Sequence, residues 1–251
     1  ACRAAVDPVQ VRGEPLDLVP SAVPADQPTP FSLQTDDEQI TKRLNSAIYR
    51  VSGDAGGRVD ATKSAVSLIF EFEDASGLHA RKEFRFEPSD YIVNFSAAVS
   101  NGGTAMNPSV AWGPGLGDVG ATSSGGSFFT GNYVQPPQAI FHDGKVTRIA
   151  AAKLGDQPAH EGQFRFVGID DHYFLAAAVN PGKTRADFRA VTLPVAGTTT
   201  QRQLLSQTLR FAQPPQNIKF LVGPTQFALL KSYAAQLVRV IKSGKVGFLA
   251  V

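Results

Sequence analysis

The sequence has very little cysteine, and its opposite charges nearly cancel. Cys2 is the single cysteine in 251 residues, so an intrachain disulfide and a cysteine-rich zinc site are both excluded. The 24 Lys and Arg residues stand against 22 Asp and Glu residues, which leaves a net charge of +2. So small an excess gives weak long-range attraction for phosphates. Nucleic acid is therefore not an expected partner.

The sequence also lacks a long hydrophobic run. No segment approaches the roughly 20 consecutive apolar residues that cross a bilayer. The longest clean run, residues 173–179, has the length of a buried strand. Residues 1–10 contain no apolar run of the kind that a signal peptide needs. With 43% hydrophobic and 18% charged residues, the chain is expected to fold as a soluble globular protein.

Prolines crowd the beginning of the chain. Proline fixes φ and has no amide hydrogen, so residues 14–30 cannot form a helix or a central strand. The prolines of this stretch are Pro15, Pro20, Pro24, Pro28 and Pro30. We predict that residues 1–30 form an irregular segment that lies on the surface of the fold.

Alternation of apolar and polar residues dominates the middle of the chain. This period of two is typical of antiparallel strands with one buried face. Aromatic residues at 70, 72, 84, 86 and 95 fall on the apolar side and are expected in the core. Asp143 and Gly144 are typical of a two-residue hairpin turn. We predict an all-β sandwich over residues 31–222, with strands at 66–73, 78–87, 91–99, 139–142, 145–150, 164–169, 172–180, 186–193, 202–211 and 218–222.

The period changes from two to that of a helix near the end of the chain. Pro224 suits the first position of a helix, and Gly244 suits the position after the last turn. Between them, apolar residues recur on one stripe. We predict an amphipathic helix over residues 224–243, within a C-terminal segment 223–251 that leads toward a hydrophobic segment. The stripe residues proposed to contact a partner or to connect to the membrane are Phe227, Leu230, Leu237, Val238 and Ile241.

No set of residues predicts catalysis or a bound cofactor. Residues 115–120 match the spacing of a dinucleotide-binding loop, but the following residues have loop rather than helix composition. The four histidines lack the spacing of a metal site and are read as turn or surface residues. A carboxylate beside His172 could orient the histidine to activate a nucleophile, but adjacent strand residues point to opposite faces and rarely form such a pair. We therefore expect Asp170 and Asp171 in a solvated turn. No catalytic, cofactor or metal site is expected.

Several short motifs resemble the periplasmic domain of the YidC family of bacterial membrane-protein insertases. The motifs follow the family order from about Gly13 to Val251, and it is their combination that carries the resemblance. The corresponding residues, which we expect to have structural roles, are Trp112, Gly113, Pro114, Gly115, Tyr173, Phe174, Gly223 and Pro224.

The resemblance implies a β-supersandwich similar to galactose mutarotase, with a helix at its C-terminal end. It also implies that the chain is the large loop between the first two transmembrane helices, on the periplasmic face of the inner membrane. Insertion activity in this family belongs to membrane helices outside this chain, so an enzyme is not expected. The implied partners are the Sec translocon with its accessory subunits and nascent membrane-protein chains.

Two classes of function remain open at this point. The first is a non-catalytic scaffold for partner interaction in membrane-protein insertion and folding, which includes binding of extended peptides. The alternative is a carbohydrate-binding or carbohydrate-active supersandwich. A sugar epimerase would need an acid and a base that converge in a cleft, and the sequence offers no obvious pair.

Overall fold

The computed structural model describes residues 18–19, 23–24, 26–53, 59–88, 90–116, 137–155, 157–171, 174–194, 199 and 201–225. Within these ranges, none of the helices has the length and hydrophobicity to span a bilayer. They contain one α-helix, α1 (Glu38–Ser46), and a short 3-10 helix (Ala151–Lys153). The strands are β1 (Ser32–Gln34), β2 (Arg50–Ser52), β3 (Val66–Glu73), β4 (Leu78–Phe86), β5 (Ile92–Asn101), β6 (Thr104–Met106), β7 (Ser109–Trp112), β8 (Gln138–Asp143), β9 (Lys145–Ala150), β10 (Ala159–Asp171), β11 (Phe174–Pro194), β12 (Gln201–Phe211) and β13 (Ile218–Pro224).

These strands form one antiparallel sheet, which confirms the predicted all-β class. The main strand order is β1-β7-β12-β11-β13-β5-β4-β3-β2, and β10, β8 and β9 branch from β11. The predicted meander is present as β3, β4 and β5, which pair in sequence order. The predicted hairpin between β8 and β9 is also present, but Asp143 pairs with Lys145, so only Gly144 lies outside the ladder.

β11 organises the sheet, and it differs from the prediction. Two strands were expected at residues 172–180 and 186–193, whereas the structure has one strand of 21 residues. Asn180 and Gly182 both have positive φ, and the pairing with β10 shifts nearby, between Phe164 and Phe166. Such an irregularity bends a strand without ending it. The first part of β11 therefore pairs with β13 and the last part with β12.

Helix α1 was not predicted, because only two of its residues carry an apolar signal. Ile40 and Leu44, four positions apart, are buried. The Asp37 carboxylate accepts hydrogen bonds from the amides of Gln39 at 2.8 Å and Ile40 at 3.0 Å, which satisfies the free donors at the helix start. The capping residue Asp37 is the sequence signal that marks the start of this helix.

Phe31 is the centre of the hydrophobic core. Its side chain is 4% exposed, and its ring centroid lies 4.9–5.4 Å from those of four other aromatic rings. Such contacts add about 0.5–1.5 kcal/mol each beyond the burial of apolar area. The four rings come from β4, β5, β7 and β13 and belong to Phe84, Phe95, Trp112 and Phe220.

The contacts of Phe31 require the sheet to curl. β7 and β4 are five places apart in the strand order. In a flat sheet strands at that separation would be about 24 Å apart. Trp112 of β7 and Phe84 of β4 nevertheless both lie within 5.4 Å of the ring of Phe31. The sheet therefore folds over itself, and its two arms face each other across the core as in a sandwich.

The expected aromatic core is confirmed in part. Phe95 is fully buried, and Phe72, Phe84 and Phe86 are half-buried and pack against the core. Phe70 instead lines an open cleft beside α1. The N-terminal segment also contributes, because Leu18 is 2% exposed and belongs to the same cluster.

The substitution Phe31→Ala should lower the free energy of unfolding by about 3–5 kcal/mol, because it removes a buried ring and leaves a cavity among four others. Urea denaturation of the purified chain measures the change. Phe86→Ala, which removes a half-buried ring at the periphery, is the matched control and should cost clearly less. Equal losses for the two variants would contradict the central position of Phe31.

Candidate functional site

The motif around Trp112 fastens the end of β7 to β12. Trp112 is 2% exposed, and its Nε1 donates a hydrogen bond to the Gly115 carbonyl at 3.2 Å. The Gly115 amide in turn donates to the Leu205 carbonyl at 2.8 Å. Gly113 has φ +141°, and a Cβ there would lie 2.5 Å from the Cβ of Ser206. The bond between Gly113 and Pro114 is a cis peptide. These residues are thus held by close backbone packing.

A second group of motif residues meets at one end of β11 and β13. Phe174 pairs with Pro224, and the next pair along the ladder includes Gly223. A Cβ on Gly223 would lie 2.4 Å from Cδ1 of Tyr91, so only glycine fits beneath that ring. The amide of Val222 donates to the Tyr91 carbonyl at 2.9 Å. Tyr173 lies outside the described residues. The chain leaves the sheet from this fixed end.

The boundary of the C-terminal segment differs from the prediction. Gly223 and Pro224 were placed in a helical segment, but both belong to β13. Pro224 is tolerated there because the last residue of a strand needs no further ladder hydrogen bond. The stripe of the predicted helix, Phe227, Leu230, Leu237, Val238 and Ile241, lies outside the described residues.

The two central histidines are not in turns. His142 is 7% exposed within β8, and His160 lies in β10 rather than in a loop. The ring of His160 lies 4.6 Å from that of Phe141, and burial lowers the pKa of His160. Among the described residues, no three His, Cys, Asp or Glu side chains are grouped in a way that could hold a metal ion.

The expectation of a solvated acidic turn at residues 170–171 was wrong. Asp170 and Asp171 are 4% and 7% exposed, because β10 continues through both residues. The Asp170 carboxylate lies 3.3 Å from Nη1 of Arg148, and Asp171 lies 3.3 Å from Nη2 of Arg202. Ion pairing offsets part of the cost of burying these charges. Burial raises the pKa of Asp170 to about 6, against the opposing effect of Arg148.

A polar cleft of about 520 Å³ opens where β1, β7, β11 and β12 meet. Its two carboxylates are already engaged by guanidinium groups. Arg210 binds Asp36 through both nitrogens, with Nη2 at 2.9 Å, and Nε of Arg185 lies 3.1 Å from Asp187. Hydrogen bonding by Arg210 lowers the pKa of Asp36. The cleft is lined by Gln34, Thr35, Asp36, Ser109, Arg185, Asp187, Thr208 and Arg210.

The polar groups of this cleft are ion pairs and hydrogen-bonded side chains. Both carboxylates are paired with arginines, and the Thr208 hydroxyl donates a hydrogen bond to Oε1 of Gln34 at 3.3 Å. The cleft therefore presents paired charges and hydroxyl groups to whatever contacts it.

Asp170→Asn should change the pH dependence of stability in a defined direction. A carboxyl group with a raised folded-state pKa binds its proton more tightly in the native protein than in the unfolded chain. Its contribution to stability is therefore fully present below about pH 4 and is lost as the pH rises through 6. Relative to Asp170→Asn, the wild-type chain should lose about 2–3 kcal/mol of stability between pH 4 and 7.

Urea titrations at several pH values measure this difference, and any constant cost of leaving Arg148 unpaired cancels from the trend. Asp26→Asn, which changes an exposed carboxyl group, is the control and should show no such trend. A pH-independent difference for Asp170→Asn would contradict the raised pKa.

Comparison with known proteins gives a consistent result for most of the chain. A family model described as the YidC periplasmic domain matches residues 10–251. A membrane protein insertase YidC of Anaeromyxobacter dehalogenans strain 2CP-C is 32% identical over 177 residues, which is 65% of this chain and 29% of that protein. The YidC of strain 2CP-1 is 31% identical over 195 residues, or 72% of this chain and 32% of that protein.

One further insertase and one solved structure match the chain with lower similarity. The YidC of Endomicrobium trichonymphae is 24% identical over 196 residues, covering 75% of this chain and 35% of that protein. Among solved structures, a GH36 alpha-galactosidase of Geobacillus stearothermophilus in complex with raffinose aligns with 86% of this chain and 35% of that one. Its TM-score of 0.27 and identity of 11% are too low to carry an argument.

The chain spans about a third of the length of the curated relatives that it matches. The family model, in contrast, covers the chain from residue 10 to its last residue, including both groups of motif residues described above. The chain therefore belongs to the YidC periplasmic domain family, whose longer curated relatives are membrane protein insertases.

Proposed function

We propose that this chain is a non-catalytic interaction domain of an insertase, held on the periplasmic face of the bacterial inner membrane. The observation that carries the proposal is the family match over residues 10–251, together with relatives named as insertases that are about three times longer. In this proposal the rest of the protein inserts client chains, and this domain binds partners beside them. The proposed partners are the Sec translocon with its accessory subunits and nascent membrane-protein chains.

The curled sheet suits a docking role because its outer face is charged while its core is closed. On β3 and β4, Glu71 lies near Arg50 and Arg81, and Arg81 also pairs with Glu83 at 2.8 Å. Exposed pairs of this kind contribute little to stability, about 0–1 kcal/mol each. They do set the pattern of charge that a partner meets, which governs specificity and the rate of association.

In this proposal, the segment that connects the domain to the membrane begins at the end of β13. Gly223 is fixed beneath Tyr91, and Pro224 is paired with Phe174, so the position of the last residues of β13 is well defined. The sequence after Pro224 has the apolar stripe of an amphipathic helix. A helix that starts at the packed end of β13 would set the orientation of the sheet relative to the bilayer.

The connector proposal is tested in the whole protein, within inner-membrane vesicles. The double variant Leu237→Asp and Ile241→Asp places two charges on the apolar stripe and should reduce insertion of a single-spanning test protein at least tenfold. The matched double variant Ser232→Asp and Gln236→Asp adds the same charges to the opposite side of the predicted helix and should insert at nearly the wild-type rate.

Protein level and protease resistance of the folded domain must be equal for the two variants, so that loss of insertion cannot result from unfolding. Equal insertion by both variants would contradict the connector role. A loss shared by both would show that added charge, rather than the apolar stripe, is responsible.

The alternative of carbohydrate binding has less support. Among the described residues, the polar cleft has no aromatic ring in its lining, and its carboxylates are paired with arginines. Calorimetric titration with simple hexoses separates the two functions. Millimolar or tighter binding that is lost in Asp187→Asn would revive the carbohydrate proposal.

A further inference from the structure

Lys82 occupies a position on β4 where the alternation calls for an apolar side chain. Ala80 and Phe84, two positions away on either side, point to the core face and are buried or half-buried. The neighbours Arg81 and Glu83 lie on the other face, where they pair with each other at 2.8 Å. The sheet therefore separates the ammonium group of Lys82 from the acids of its own strand.

The ammonium group of Lys82 has an aromatic neighbour and, among the described residues, no anionic one within ion-pair distance. Its Nζ lies 4.6 Å from the ring centroid of Tyr49. Within the described part of the chain, Lys82 forms no ion pair or hydrogen bond with a side chain. Burial lowers the pKa of Lys82 to about 8, and burial also raises that of Tyr49 to about 12. Near neutral pH the cleft thus holds one cation above a neutral phenol.

The other polar groups around Lys82 are already satisfied. Nδ2 of Asn45 donates to the carbonyls of Leu33 and Thr41, both at 2.9 Å. The hydroxyls of Thr29 and Ser32 bond to each other at 3.0 Å. The hydroxyl of Tyr49 donates to the Leu44 carbonyl at 3.0 Å. The ammonium group of Lys82 lines the same open cleft, where its N–H donors are available to a ligand.

Lys82 and Tyr49 line a cleft of about 320 Å³ between α1 and the end of the sheet formed by β2, β3 and β4. At about 30 Å³ for each water, the volume corresponds to roughly ten heavy atoms. Val51, which is 42% exposed, contributes an apolar side chain to the lining. The lining residues are Thr29, Ser32, Leu44, Asn45, Ala47, Tyr49, Val51, Phe70 and Lys82.

We propose that this cleft, the Lys82 cleft, binds a small amphipathic carboxylate, whose anionic group contacts the Lys82 ammonium and whose alkyl or aryl body lies against Val51 and Phe70. A single ammonium matches a monoanion better than a phosphate dianion, which proteins bind with arginine forks or rows of amides. Val51 and Phe70 supply the apolar contact surface for the body of the ligand, within a lining that is otherwise largely polar, and the volume limits that body to about eight carbons. This inference is independent of the role in membrane-protein insertion.

Calorimetric titration of the chain with octanoate at pH 7 tests the Lys82 cleft. Octanoate should bind, and octanol, which has the same body without the charge, should bind at least tenfold more weakly. Lys82→Met keeps an unbranched side chain without the charge and should weaken octanoate at least tenfold. Lys219→Met, at an exposed lysine of β13, is the matched control and should bind octanoate like the wild type.

Two further measurements protect the test from a folding artefact. Ala47→Phe fills the cleft and leaves Lys82 in place, so it should also abolish octanoate binding. In the wild-type chain, the pKa of Lys82, measured by NMR of reductively methylated lysines, should rise when octanoate binds, because the carboxylate stabilises the ammonium form.

The proposal is overturned if octanol binds as tightly as octanoate, or if Lys82→Met and Lys219→Met bind octanoate equally. An unchanged pKa of Lys82 on saturation would overturn it as well. If octanoate does not bind but an apolar peptide with one acidic residue does, the cleft is a polypeptide-docking site and the small-molecule assignment is wrong.

Discussion

The position of Phe31 among four aromatic rings is the constraint on which the rest of the structure depends. Because those rings come from strands that are distant in the sheet order, they can meet only if the sheet curls. Phe31 lies directly before β1, so the same contact anchors the N-terminal segment and the adjoining helix α1 to both arms of the sheet. A residue near the start of the fold therefore joins its most separated parts.

The polar and charged features of the described residues lie outside the aromatic core. The polar cleft carries paired charges, the outer face of β3 and β4 carries a ladder of ion pairs, and the motif residues form tight backbone contacts. Such features suit a rigid body that meets other macromolecules. The Lys82 cleft differs from them, because among the described residues its cation lies over an aromatic ring and has no carboxylate partner.

The alternating pattern was sufficient to predict the sandwich class and the meander β3–β5, because a strand with one buried face alternates apolar and polar residues within its own short sequence. What the sequence did not predict depended on partners far away in the chain. Asp170 and Asp171 were predicted to be turn residues. Their burial depends on ion pairs with Arg148 and Arg202, which lie on other strands and are not adjacent in the sequence. The bend in β11 was read as a break, and α1 had too few apolar residues to be recognised.

Native-state amide hydrogen exchange tests most directly the claim that Phe31 joins the arms of the sheet into one cooperative unit. The account predicts that the slowest amides of β4, β5, β7 and β13 exchange only through global unfolding, with one free energy and one dependence on denaturant. Exchange of β7 at a clearly lower free energy than β4 and β5 would show that the arms open separately, and would contradict the account.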